Sequence, residues 1–215
     1  MHGATKLPGA TVRPSERQLR RIALVRECAQ LGARQRTIEL LTGLTSRQVA
    51  AMLDADHFTA PRGRPPNTPD WYHGGTMLDR TEASVFAISY RRLRGLDFEP
   101  LRALLGGYQH YRSVCWHAHR LSFDRAFDLA RRLDGIWGAG QACFSLATCA
   151  DCGCQYLTNA GLPTGSRLDC PFCRLQARYR LDPRVQMCFP TSPLPDPAYL
   201  EWALSLKAGL QATDH

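Results

Sequence analysis

The chain has 215 residues, 44% of them apolar, which suits one medium domain or two small ones built around a real core. Lys and Arg number 27 against 19 Asp and Glu, a formal net charge of +8 at pH 7, with a sequence pI of about 9.2. No apolar run approaches the roughly 20 residues of a membrane span, and no apolar leader stands between Met1 and Pro14, so a cytosolic protein is expected.

The charge is almost entirely arginine, with Lys6 and Lys207 the only lysines. Arginine's planar fork suits phosphates and base edges, so an acidic partner, nucleic acid first, is expected. A high-GC coding bias would give the same excess.

In chain order, residues 1–14 lack periodicity and read as a loose terminus. From Ser15, a good N-cap, a helical pattern begins with Leu19, Ile22 and Leu24 and runs to Leu31. A shorter helix follows Gly32 and carries Ile38, Leu40 and Leu41. Thr45 is placed to cap a third helix over Ser46–Asp54, with Val49, Met52 and Leu53 at core spacing.

Residues 34–54 can be laid on a helix-turn-helix, with Gly43 in the turn. Ser46, Arg47, Gln48 and Ala51 would then face outward near the start of the second helix, where base edges are met. Gln48 suits adenine and Arg47 suits guanine or phosphate. Arg34 opens the motif and joins the candidate DNA contacts. Glu39 departs from the pattern, which usually has a small residue there, and a plain αα-hairpin is the alternative.

Residues 57–70 hold Pro61, Pro65, Pro66 and Pro69 and cannot form a regular helix. Pro61-Arg62-Gly63-Arg64-Pro65 resembles the core of an AT-hook, whose glycine lets Arg62 and Arg64 lie along the minor-groove floor. The alternative is a solvated Pro/Arg linker.

Thr76–Arg94 predicts an amphipathic helix with Val85, Phe86, Ile88 and Leu93 inside. Glu99–His117 predicts another, weakened at Gly106-Gly107. Ser122 caps a third with Phe123, Phe127, Ala130 and Leu133, and Gly138 and Gly140 break the pattern. A cysteine-rich segment spans 143–180. The tail, 181–215, ends in a short helical stretch around 199–210.

Nine cysteines in a reducing compartment mean metal or catalysis more often than disulfides. Cys149-Ala-Asp-Cys152 and Cys170-Pro-Phe-Cys173 are two C-x-x-C pairs separated by seventeen residues. One tight turn aims two thiolates at a common centre, and a loop of this length brings the second pair to complete a tetrahedron. Four thiolates close the shell, which predicts one structural Zn2+ rather than a catalytic one. An iron–sulfur cluster or two redox pairs are the alternatives. Gly153 and Pro171 are expected to shape the two turns, and residues 158–161 and 163–166 are expected to be further turns. Cys154 could replace Cys152, but C-x-C is the rarer spacing, so Cys152 is the expected ligand. Cys28, Cys115, Cys143 and Cys188 read as small buried hydrophobes.

His110, His117 and His119 lie near Cys115 without a carboxylate to complete a metal triad. No phosphate-loop, dinucleotide or serine-nucleophile motif is present, so no enzyme is expected.

The fold class expected is mainly α: a helical region over 15–140, then a small four-cysteine zinc-binding module over 143–180. With Leu31-Gly32-Ala33-Arg34, Thr68-Pro69-Asp70-Trp71 and the four cysteines after a helical middle, residues 20–180 resemble the FlhC family of flagellar transcriptional activators. The resemblance implies a hetero-oligomer with an FlhD-type partner subunit that binds double-stranded promoter DNA and recruits RNA polymerase. It carries the family's zinc ligands onto Cys149, Cys152, Cys170 and Cys173. A zinc-ribbon adaptor that binds protein but not DNA is the competing function.

Overall fold

The computed structural model describes residues 14–59, 61, 63, 66, 68–115, 119–161 and 169–188. Three helices open it: α1 (Pro14–Gln30), α2 (Gln35–Thr42) and α3 (Ser46–Ala55), each packed on the other two. α1 buries Val25, Cys28 and Ala29, spaced for one helix face. Its expected first core position, Leu19, is instead 66% exposed, because no element covers the helix's first turns among the described residues. α2 contributes Ile38, and α3 contributes Val49 and Leu53, to the same core.

Among the described residues between α3 and the short α4 (Asp70–His73), no regular helix is present, in keeping with the prolines. α4 itself is not foreshadowed by the sequence pattern. Its Trp71 donates from Nε1 to the buried Asp128 at 3.1 Å, and the Arg125 guanidinium lies 4.9 Å over the Trp71 ring.

α5 (Met77–Gly95) is the central helix. A capping box starts it: the Thr76 side chain accepts from Asp79 N–H, and the Asp79 carboxylate accepts from Thr76 N–H. It packs on α6 (Pro100–Val114), on α7 (Phe123–Asp134) and on the cysteine-bearing segment. Ser122 caps α7 as expected, accepting from Arg125 N–H.

Gly106-Gly107 does not interrupt α6. A Cβ on Gly107 would sit 3.2 Å from the Tyr90 backbone nitrogen, so the missing side chain is what lets α6 approach α5. The cost in helix propensity is offset by that contact.

The cysteine-rich segment forms a two-stranded antiparallel sheet, β1 (Phe144–Thr148) and β2 (Gln155–Asn159), followed by α8 (Pro171–Tyr179) and α9 (Pro183–Cys188). Thr158 and Asn159, expected in a turn, end β2 instead, paired with Ser145 and Phe144. Residues 163–166 and the helix expected near 199–210 lie outside the described residues. Phe144 and Leu157 belong to the same apolar core as the helices, and Ser84 Oγ accepts from Leu157 N–H at 3.1 Å. The hairpin is thus docked on α5. A second small core gathers Ala147, Cys149, Tyr156, Cys170 and Cys173, with Phe172 against it.

Interior carboxylates tie the helices together. Asp124 accepts from Arg34 N–H, from the Arg34 guanidinium and from Thr37 Oγ1, linking α2 to α7. Asp128 takes Arg131 and Arg132, and Asp134 takes Arg91, Arg94 and the Tyr90 hydroxyl. Glu82 accepts from the Tyr111 hydroxyl and from Arg120 N–H. Burial is the largest influence on Glu82 and raises its pKa above the ordinary value, although these donors act the other way. Six arginines of the helical body are thus engaged by interior carboxylates.

Candidate metal centre and nucleic-acid interface

The hairpin pairs Thr148 with Gln155 and leaves residues 149–154 as its turn. Two backbone bonds close that turn: Cys149 N–H donates to Cys154 O, and Gly153 N–H to Cys149 O, both at 2.9 Å. Gly153 sits at φ 70°, the left-handed region that a glycine takes without strain. Cys170 is the residue before α8. Pro171 takes the first helical position, where its missing N–H loses no bond, and Cys173 follows within the first turn.

These two turns bring four thiols together. The Sγ atoms of Cys149, Cys152, Cys170 and Cys173 all lie within 4.8 Å of one another. Cys149 to Cys173 and Cys152 to Cys170 are each 3.7 Å. A tetrahedron with Zn–S bonds near 2.3 Å has sulfur–sulfur edges of about 3.8 Å. The donor set fits a divalent, thiophilic ion. Cys149, Cys170 and Cys173 are buried and Cys152 is exposed.

The electrostatics favour the same reading. The Cys154 N–H bonded to its sulfur is the largest influence on Cys152 and lowers its pKa to about 7. Burial pushes Cys173 well up, and pushes Cys170 up against the backbone N–H groups of Cys173 and Phe172. Buried thiols held above their ordinary range make poor thiolates by themselves. A bound cation supplies the charge that lets them deprotonate. The Cys154 thiol is exposed and lies outside the set of four. Cys28 and Cys115 are buried thiols raised to about 12, inert as expected, and Cys143 is half-buried.

The helix-turn-helix candidate has the expected local shape. Gly43 caps α2 at φ 68°, Leu44 and Val49 are buried, and Ser46, Arg47, Gln48 and Ala51 are exposed. Its side chains, however, are largely occupied. Gln48 Oε1 accepts from the Thr45 N–H and hydroxyl, both at 3.0 Å, completing a capping box. Gln35 Nε2 donates to the Ser46 carbonyl and hydroxyl. Arg34 is held by the buried Asp124. Arg47 makes no ion pair among the described residues. Residues 34–56 carry three arginines against three acids, a net charge of zero. Arg62 and Arg64 lie outside the described residues.

The model of the family described as flagellar transcriptional activator (FlhC) matches residues 14–184. The chain belongs to the FlhC family. That family is a class of transcriptional activators, not of enzymes. The FlhC match ends within α9, so it spans both the helical body and the cysteine module.

Among the described residues, no histidine joins the thiol cluster. His110 Nδ1 lies 2.9 Å from Ser89 Oγ, His119 Nδ1 lies 2.8 Å from Cys115 O, and His117 is outside the described residues. No described helix is long and apolar enough to cross a membrane.

One surface escapes the sequence reading. Arg174, Arg178, Arg180 and Arg184 follow the second cysteine pair, and all are exposed. The signal is present as four arginines in eleven residues. It gains meaning only once α8 is known, because the helix places Arg174 and Arg178 one turn apart on a solvent-facing side.

Proposed function

We propose that this chain is the DNA-binding subunit of a cytoplasmic transcriptional activator that acts with an FlhD-type partner subunit at flagellar promoters and engages RNA polymerase. The observation that carries the reading is the family match over residues 14–184. One structural Zn2+ per chain on Cys149, Cys152, Cys170 and Cys173 completes it. The ion would close the tetrahedron and hold the hairpin turn against the start of α8. Residues 15–140 form the helical domain and 143–180 the zinc module, which rests on α5.

The expected DNA contacts are Arg47 and the arm residues Arg62 and Arg64, with Ser46, Gln48 and Arg34 shaping the end of the motif that would face the duplex. Reading bases with Gln48 would require it to leave its cap. Copurification with the partner, followed by retention of promoter and scrambled duplexes at moderate salt, tests the whole. Preference for the promoter by the complex supports the reading, and equal retention overturns it. Charge reversal at Arg62 and Arg64 should weaken binding and flatten its salt dependence.

The competing reading, a zinc-containing adaptor without DNA contact, draws on the zero net charge of residues 34–56. It predicts partner assembly with no duplex retention.

A further inference from the structure

We propose that the exposed arginines following the second cysteine pair form a phosphate-contacting ridge that lies along double-stranded nucleic acid without reading its sequence. The inference deepens the DNA-binding reading above and rests on it. Three observations carry it.

The first is how charge is sorted. In the helical body, arginines 34, 91, 94, 120, 131 and 132 are engaged by four buried or nearly buried carboxylates, Asp124, Asp134, Glu82 and Asp128, within the fold. The α2–α3 hairpin has no net charge. Residues 169–188, by contrast, hold four arginines against two aspartates, a net of +2. Arg174, Arg180 and Arg184 make no ion pair among the described residues. Arg178 meets Asp182 at 3.5 Å while remaining 61% exposed, a contact that solvent screens heavily.

The second is geometry. Pro171 and Cys173 are buried, with Phe172, Leu175 and Tyr179 half-buried, so α8 turns one face inward. Arg174 and Arg178 stand one turn apart on its solvent side, with Ala177 and Gln176 exposed beside them. Four residues of helix rise about 6 Å, which fits one or two phosphate steps along a strand. Arg180 and Arg184 continue the charge through the α8–α9 corner.

The third is rigidity. Cys170 immediately precedes α8 and Cys173 lies in its first turn, so two of the four clustered thiols sit at one end of the ridge. The helix also packs on α5. Arginines held this way lose less freedom on meeting phosphates than those on a loose tail. Leu181 and Met187, 84% and 76% exposed, flank the ridge and make an acidic protein partner the competing occupant.

The test uses the full chain assembled with its partner subunit. R174Q/R178Q/R180Q/R184Q should flatten the dependence of log K on log salt by roughly 0.9 for each phosphate contact removed, about two to four in all. Promoter and scrambled duplexes should lose affinity by the same factor, on the order of 10- to 100-fold, leaving their ratio unchanged. The all-lysine version of the four positions should bind within about threefold of wild type, because phosphates accept point charges. Metal content and the thermal transition, measured on both variants, check that the module is intact.

If wild-type complex binds duplex and the glutamine variant keeps its slope and affinity, the ridge is overturned while the DNA-binding reading stands. If the glutamine variant loses its partner subunit by mass, the ridge is a protein interface and the inference also fails. If wild-type complex retains no duplex at all, it is the broader reading that fails.

Discussion

The α2–α3 hairpin and the cysteine module are both small units resting on the helical body, yet they use their polar groups in opposite ways. In the hairpin, Thr45, Gln48, Gln35 and Ser46 satisfy one another, and Arg34 is drawn onto a buried aspartate. Its stability is local and needs no ligand. In the module, four thiols are gathered, burial disfavours the charge of Cys170 and Cys173, and the arginines beside them are exposed. The first unit is held by hydrogen bonds to other protein groups and by the apolar core it shares with the neighbouring helices. The second gathers four thiols that could hold a metal ion. A motif with the outline of a recognition element can therefore have little polar capacity left, while an unremarked helix after a metal pair carries exposed charge.

The sharpest way to break the comparison is to remove a thiol. Cys170→Ser should abolish stoichiometric zinc, measured by metal analysis of the reduced protein, and melt the 143–180 module, because structural zinc contributes about 10–16 kcal/mol of folding-coupled binding. Cys154→Ser should leave zinc content unchanged. Zinc retained by Cys152→Ser but lost by Cys154→Ser would reassign the fourth ligand.

The hairpin should be indifferent to chelators but sensitive at its anchor. Asp124→Ala leaves Arg34 and Thr37 without their interior acceptor and should destabilise the fold by about 3–5 kcal/mol, read by denaturant titration. A loss below about 1 kcal/mol would mean that α2 is not held through this ion pair.

A smaller effect is expected at the cap. Thr45→Ala should cost about 0.5–2 kcal/mol and leave zinc content untouched. The variant removes the hydroxyl's share of the cap, while Gln48 Oε1 keeps the backbone N–H of residue 45.

The smallest effect concerns pH. Burial raises the folded pKa of Glu82 above its unfolded value, so the fold holds this proton more tightly than the unfolded chain does. Its contribution is fully present below the unfolded pKa and is lost as pH rises through the raised folded value. Glu82→Gln keeps an acceptor for the Tyr111 hydroxyl and cannot ionise. It should flatten the fall in stability with rising pH in the weakly acidic range, measured by thermal melts. An unchanged slope would place the pH response elsewhere.

Amino-acid order alone determined the helices and the ligand spacing. Periodic apolar residues, the caps at Thr45 and Ser122, and the proline run at 61–69 act over a few neighbours, so α1, α2, α3, α5, α6 and α7 were legible. So were the two cysteine pairs, since C-x-x-C is itself a local geometry. The tertiary structure decided what each polar group is worth. Gly107 reads as a helix weakness until Tyr90 is placed against it. Arg34 reads as a candidate DNA contact from sequence, and the structure adds an interior partner, Asp124, ninety residues away. The β-hairpin and α8 stay hidden because a five-residue strand and a nine-residue helix interrupted by cysteines carry too little periodicity to stand out. Contacts between residues far apart in the chain are invisible to local pattern, and those contacts here separate the arginines engaged within the fold from the ones left exposed.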